Sequence, residues 1–225
     1  MKSIIIGAGE IGKSLYRVLQ NYYPTTLAEK VSIKEHFDVL HICFPFSDKF
    51  ISEVKKYQKQ YKPKYTIIHS TVPIGTNRKL GSISSPIIGI HPFLQESIKT
   101  FTKFLGGEQA NEVADYFRRA GIKVQICKKP ETTEMAKLSS TTLYALIIEY
   151  VKNLNKQCEK YDVPFSEVYT LWSQNYNKGY EELGFPEYVR PILQPIMKKQ
   201  GGHCTLPNCK LWDTVFTKFI NKLTK

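Results

Sequence analysis

A chain of 225 residues, 42% of them hydrophobic and 23% charged, has the ordinary composition of a globular protein and can bury a sizeable core. Its net charge of +12 is carried largely by lysines on stretches that read as exposed helix faces (Lys49, Lys55, Lys56, Lys59, Lys62, Lys64). No nucleic-acid module accompanies them, so the sequence predicts a solvated basic surface that attracts small anions rather than a nucleic-acid partner. No segment is apolar for long enough to span a bilayer, and the five scattered cysteines predict reduced thiols in a cytoplasm, not a disulfide frame.

Met1 leads straight into the apolar run Ile4-Ile5-Ile6, which predicts a buried parallel strand and no cleaved leader. The strand runs into Gly7-Ala8-Gly9-Glu10-Ile11-Gly12 and then an amphipathic helix over about Glu10 to Asn21, with Ile11, Leu15, Val18 and Leu19 inward. In this context the glycines predict a dinucleotide site. Gly7 permits the turn, Gly9 lets the backbone approach a pyrophosphate, and Gly12 lets the helix pack on the strand, while the helix aims its positive end at the phosphates. A second strand is expected at Thr25-Thr26-Leu27. Glu29, about 20 residues past the first glycine, is the candidate reader of a cofactor ribose. Lys30 follows it and could accept a 2′-phosphate, so NAD and NADP both stay open; an ordinary loop glutamate is the other reading.

Further strands are expected at Asp38 to Pro45, Tyr65 to His69, Pro86 to Ile90 and Val124 to Cys127, with helices at Ser47 to Tyr61 and Gln109 to Ala120. Strands alternating with helices predict a parallel, doubly wound α/β sheet. From Glu131 the pattern becomes helical, with Met135, Leu138, Leu143, Leu146, Ile147 and Val151 on one face; more helices are expected at Phe165 to Asn177, Tyr188 to Lys199 and Lys210 to Lys222. The boundary near Lys128-Lys129-Pro130 divides a dinucleotide-binding domain, 1–129, from an all-helical one, 130–225.

The loop Gly201-Gly202-His203-Cys204 puts a thiol beside glycines and a histidine, a candidate nucleophile able to attack an aldehyde. A buried loop cysteine is the plainer reading. A metal set of His203, Cys204 and Cys209 is too compressed, with no second cluster, for a tetrahedral site, so no metal is expected.

Four blocks in order give the chain a resemblance to the nucleotide-sugar 6-dehydrogenases, the UDP-glucose/GDP-mannose dehydrogenase family. They are Gly7 to Gly12, Ser70-Thr71-Val72-Pro73-Ile74-Gly75-Thr76, Glu134-Met135-Ala136-Lys137-Leu138, and Gly201-Gly202-His203-Cys204. The resemblance implies a Rossmann domain followed by a helical domain, an arrangement like that of 6-phosphogluconate dehydrogenase. It implies NAD(P)-dependent oxidation of an alcohol through an aldehyde. Cys204 would be the nucleophile, Lys137 would stabilise oxyanion character, and Thr71 would position a water or the substrate hydroxyl. Gly7, Gly9, Glu10, Ile11, Gly12, Glu29, Pro45, Ser70 and Thr71 would line the coenzyme. Without the resemblance, Lys137 reads as a solvated helix lysine and Thr71 as a turn cap. His91-Pro92 would lie near the coenzyme in related folds, although a strand-end histidine is more often structural.

Three departures matter. Thr141 stands where the family has asparagine, still on the Lys137 face of the helix. Asn208 stands where the family has aspartate, and an amide cannot serve as a general base. The family's C-terminal nucleotide-gripping domain has no counterpart before Lys225. Together they predict a small or sugar-like substrate and a single two-electron step. The alternative is a dinucleotide-binding sensor or scaffold with reduced catalysis. The apolar helix after Glu131 and the aromatics Tyr169, Trp172, Tyr176 and Tyr180 predict a homodimer packed through the helical domains.

Overall fold

The computed structural model describes residues 1–29, 33–195 and 205–224. The chain divides into two compact units, Met1–Leu138 and Ser139–Lys225. The division falls inside a long helix that begins at Pro130.

The first unit is built on a seven-stranded sheet in the order β2-β1-β3-β4-β5-β6-β7. The strands are β1 (Ser3–Ile6), β2 (Thr25–Ala28), β3 (Val39–Ile42), β4 (Tyr65–Ile68), β5 (Ile83–Ser84), β6 (Lys103–Gly106) and β7 (Val124–Cys127). Strands β1 to β5 are mutually parallel. The expectation of a wholly parallel sheet is corrected at β6, which meets β5 antiparallel at Ser84 and Gly106 and pairs parallel with β7.

The central strands are apolar at successive positions because both faces are covered. Ile5, Val39 and Ile67 pack with Leu15, Val18, Val113 and Phe117 from α1 (Glu10–Leu19) and α5 (Ala110–Arg119), and with Leu94 and Ile98 of α4 (Leu94–Thr100). Ile4, Ile6, Leu40, Ile42 and Ile68 pack on the other face with Phe50 and Val54 of α2 (Phe50–Tyr61) and Leu80 of α3 (Thr76–Leu80). The lysines of α2 and its flanks point to solvent, as its amphipathic pattern requires.

Four short elements had no counterpart in the sequence pattern: α3, α4, β6 and, in the second unit, a helix at Thr205–Cys209. The strand expected over Pro86 to Ile90 is corrected: β5 lies earlier, and 86–90 carries no regular structure. Pro86 has no N–H for a ladder, and Gly89 runs so close to α4 that a Cβ there would lie 2.7 Å from the Ser97 Cβ.

The second unit continues α6 (Pro130–Tyr161), a π-helical stretch Ser166–Leu171, α7 (Trp172–Glu182), a 3-10 turn Pro186–Tyr188, α8 (Thr205–Cys209) and α9 (Val215–Leu223). The helix expected over Phe165 to Asn177 thus starts as a π turn and extends to Glu182. The helix expected from Tyr188 is absent through residue 195, and 196–199 lie outside the described residues. Pro191 and Pro195 each remove an amide donor. That strand of chain is held instead by Tyr169 Oη donating to the Pro191 carbonyl (2.8 Å) and by Asn177 bonding both backbone groups of Arg190. The helix expected over Lys210 to Lys222 starts later, as α9, with a capping box at Thr214 and Thr217; α8 lies just before it. Ala145, Cys209 and Ile220, with Leu146 and Leu206, form a small core.

Candidate active site

Parallel strands bring the ends of β2, β1, β3, β4 and β5 to one edge, and the topological reversal between β1 and β3 falls there, where open α/β sheets bind their ligands. Gly7 leaves β1 with φ +109°, and a Cβ on it would lie 2.8 Å from both Cys43 C and Phe44 N. Gly12 lies so close to the turn that a Cβ would fall 1.8 Å from the Gly7 carbonyl oxygen. Gly9, the N-cap of α1, has nothing within 4 Å of an added Cβ and no side-chain cap. Two glycines are therefore required by packing, and the third leaves open space in front of an uncapped helix terminus, the geometry of an anion cradle.

Around this turn lie the other expected coenzyme residues. Glu29 is exposed just past β2; Lys30 lies outside the described residues. Pro45 is exposed past β3. Ser70, past β4, is buried and its Oγ donates to the Phe44 carbonyl at 2.5 Å, tying two loops of the edge together. Thr71 follows, half-buried. Ile11 packs against the core beneath α1, and the Glu10 carboxylate meets His91 Nδ1 at 2.8 Å on the surface.

Helix α6 reaches the same edge. Lys137 is half-buried and its Nζ donates to the Ile87 carbonyl, past β5, at 2.8 Å. Glu134, one turn earlier, is buried and accepts from Gly75 N (2.6 Å), Asn77 N (2.8 Å) and Asn77 Nδ2 (2.7 Å). The sequence reading quoted Glu134 within a motif but gave it no role. Its spacing of three residues from Lys137 was the available signal.

Thr141 is half-buried one turn beyond Lys137 on α6, in the second unit. Asn208 is buried in α8, 7% exposed, beside the buried Cys209. Cys204, with Gly201, Gly202 and His203, lies outside the described residues. Among the described residues no cluster of three or more metal-ligating side chains occurs, and no helix is long and apolar enough to cross a membrane.

Beneath the edge lies a buried polar chain that the sequence gave no sign of. His41 Nδ1 and His69 Nε2 are 2.9 Å apart, and His41 Nε2 is 3.1 Å from the Tyr116 hydroxyl. Lys103 Nζ lies 3.2 Å from both His69 Nδ1 and the Ser85 carbonyl. Burial, reinforced by the Lys103 charge, pulls His41 down to about 3 and His69 well below its ordinary value. Burial pulls Lys103 down to about 7 and pushes the Cys43 thiol up to about 12. Cys43 is therefore an inert core thiol, not a nucleophile.

No family model and no curated protein sequence matches the chain. Solved structures do. A UDP-D-ManNAc dehydrogenase from Pyrococcus horikoshii superposes with TM-score 0.76 at 14% identity, covering 100% of this chain and 68% of that one. A 3-hydroxyisobutyrate dehydrogenase from Mycobacterium tuberculosis does so with TM-score 0.72 at 12% identity, covering 99% of this chain and 92% of that one. A UDP-glucose dehydrogenase from Pyrobaculum islandicum gives TM-score 0.68 at 14% identity, covering 100% and 68%. The chain thus has the fold of these dehydrogenases, a doubly wound Rossmann sheet followed by a helical region.

Proposed function

We propose that the chain is an NAD(P)-dependent oxidoreductase acting on an alcohol or aldehyde group of a small or sugar-like substrate. The observation that carries this reading is the shared edge: the glycine cradle, Ser70 and Thr71, and the Lys137 amine all stand at the carboxyl ends of parallel strands. The pyrophosphate would sit at Gly9 on the α1 terminus, and Glu29 would take the ribose. Bound there, the dinucleotide supplies the hydride acceptor. Lys137, already donating to a carbonyl oxygen, would hold the developing oxyanion. Thr71 would orient the hydroxyl or water, and Cys204 would be the nucleophile toward an aldehyde. The fold shared with the dehydrogenases above supports this assignment, as do the four motif blocks.

The buried amide of Asn208 favours one two-electron step over two, because it cannot remove a proton from a hydrolytic water. Incubation with NAD, NADP and a panel of small alcohols, aldehydes and UDP-sugars tests the proposal. Rapid conversion of a UDP-sugar to its uronate would refute the single-step reading. The same amide favours, as second reading, a dinucleotide sensor. Cys204→Ser separates the two: an enzyme using covalent chemistry at Cys204 loses turnover, whereas the sensor has none to lose and binds dinucleotide as before.

The exposed apolar side chains of the second unit, Leu143, Tyr144, Leu171, Trp172 and Phe216 among them, support a homodimer formed through that unit. Light scattering on a sizing column checks it, a monomer at high concentration being the contrary result. Free Cys43, Cys127, Cys158 and Cys209 support a reducing, cytoplasmic location.

A further inference from the structure

The N-cap of helix α3 is Gly75, which has no side chain with which to cap it. The missing acceptor comes from α6. The Glu134 carboxylate takes the backbone N–H groups of Gly75 and Asn77 and the Asn77 side-chain amide, all between 2.6 and 2.8 Å. Asn77 is itself fully buried, and its Oδ1 accepts from Ser82 Oγ at 2.9 Å. The same turns of α6 make other ties to this region. Glu131 pairs with Arg78, Thr133 Oγ1 donates to the Ser84 carbonyl, and Lys137 Nζ donates to the Ile87 carbonyl.

The geometry points to Glu134 as the positioning residue that fixes the Ser70–Thr76 turn, and with it Thr71, relative to the Lys137 amine; this role rests on the reaction proposed above. A buried carboxylate is tolerable only when its oxygens are satisfied. One placement of the turn satisfies all three donors at once, so turn and helix are held as a single body. Thr71 and Lys137 stand on separate elements, yet both must address the same substrate oxygen. Charge-assisted hydrogen bonds are short and directional, which suits a clamp that holds reacting groups in register.

Glu134→Gln tests the role. It preserves shape but puts an amide N–H₂ against the N–H donors in either orientation. Asn77→Asp attacks the clamp from the other side by setting a second carboxylate against the first, and Glu134→Asp is the conservative partial rescue. Three readouts apply: affinity for ADP-ribose as a probe of the glycine cradle, kcat and KM on an alcohol the wild type oxidises, and amide hydrogen exchange at Gly75 and Asn77. The expected result for Glu134→Gln and Asn77→Asp is unchanged ADP-ribose affinity and a kcat lower by about 100-fold. Exchange at Gly75 and Asn77 should be faster by about 10-fold or more. Glu134→Asp should fall between these and the wild type. Unchanged exchange would overturn the clamp. Unchanged kcat, or an equal loss of ADP-ribose affinity from general loosening, would overturn the positioning role. A wild type inactive on every substrate would instead refute the proposed reaction, and with it any role in positioning, while exchange would still decide the clamp.

Discussion

Replacing Lys103 with methionine should make the protein more stable at neutral pH and remove a pH dependence that the wild type carries. The amine is buried among His69, His41, Phe117, Cys43 and the Ser85 carbonyl, with no carboxylate among its hydrogen-bond partners. Burial lowers it from 10.5 to about 7. That difference corresponds to about 5 kcal/mol of penalty on the charged form. The sign follows from proton counting. Between the folded and unfolded values the unfolded chain binds the extra proton, so stability rises with pH through that window and the penalty is complete below about 7. From pH 7 to 9 the wild type should gain about 2 kcal/mol from this group. The buried thiol of Cys43 opposes the trend only above its ordinary value of 9.0. Lys103→Met leaves no orphaned partner: His69 Nδ1–H can donate to the Ser85 carbonyl at 3.1 Å, His41 Nδ1–H to His69 Nε2, and Tyr116 O–H to His41 Nε2. Urea unfolding at pH 7, 8 and 9, followed by circular dichroism, is the assay. A wild type flat across that range, or a variant that keeps the slope, would refute the reasoning.

Gly12→Ala should loosen α1 from the turn and cost about 1–3 kcal/mol, because its methyl would fall 1.8 Å from the Gly7 carbonyl. Gly9→Val should fold normally, having open space and an extended backbone, and lose only dinucleotide affinity; thermal unfolding and NADH fluorescence titration check both. Lys137→Met should abolish turnover while NADH affinity is retained, a split visible by comparing steady-state rates with binding. Below pH 6.5 the buried neutral rings of His41 and His69 should destabilise the fold steadily, since the unfolded chain takes up protons that the folded one refuses. A folded protein whose two ring proton signals both report imidazolium at pH 4 would contradict this.

The sheet strands and the glycine turn were legible because their signals are local. A run such as Ile4-Ile5-Ile6 is apolar without alternation only if both faces are covered, and Gly7-x-Gly9-x-x-Gly12 after a strand has few other uses. The misplaced strand at 86–90 shows the limit. Its apolar run satisfied the pattern, but the β4 partner had already been taken by Ile83–Ser84. The helix expected from Tyr188 failed where Pro191 and Pro195 removed donors that periodicity does not count.

The chain's own order of residues determined the class of fold, the location of the dinucleotide cradle and the placing of Lys137 on a helix, since each depends on neighbours within a few turns. Only the tertiary structure decided that Glu134 would cap a helix 57 residues earlier in the chain, and that His41, His69, Lys103 and Tyr116 would meet in the core. Such meetings depend on which strands lie side by side and which way each side chain faces across the sheet. A residue's identity carries its chemistry, but its partners are assigned by packing.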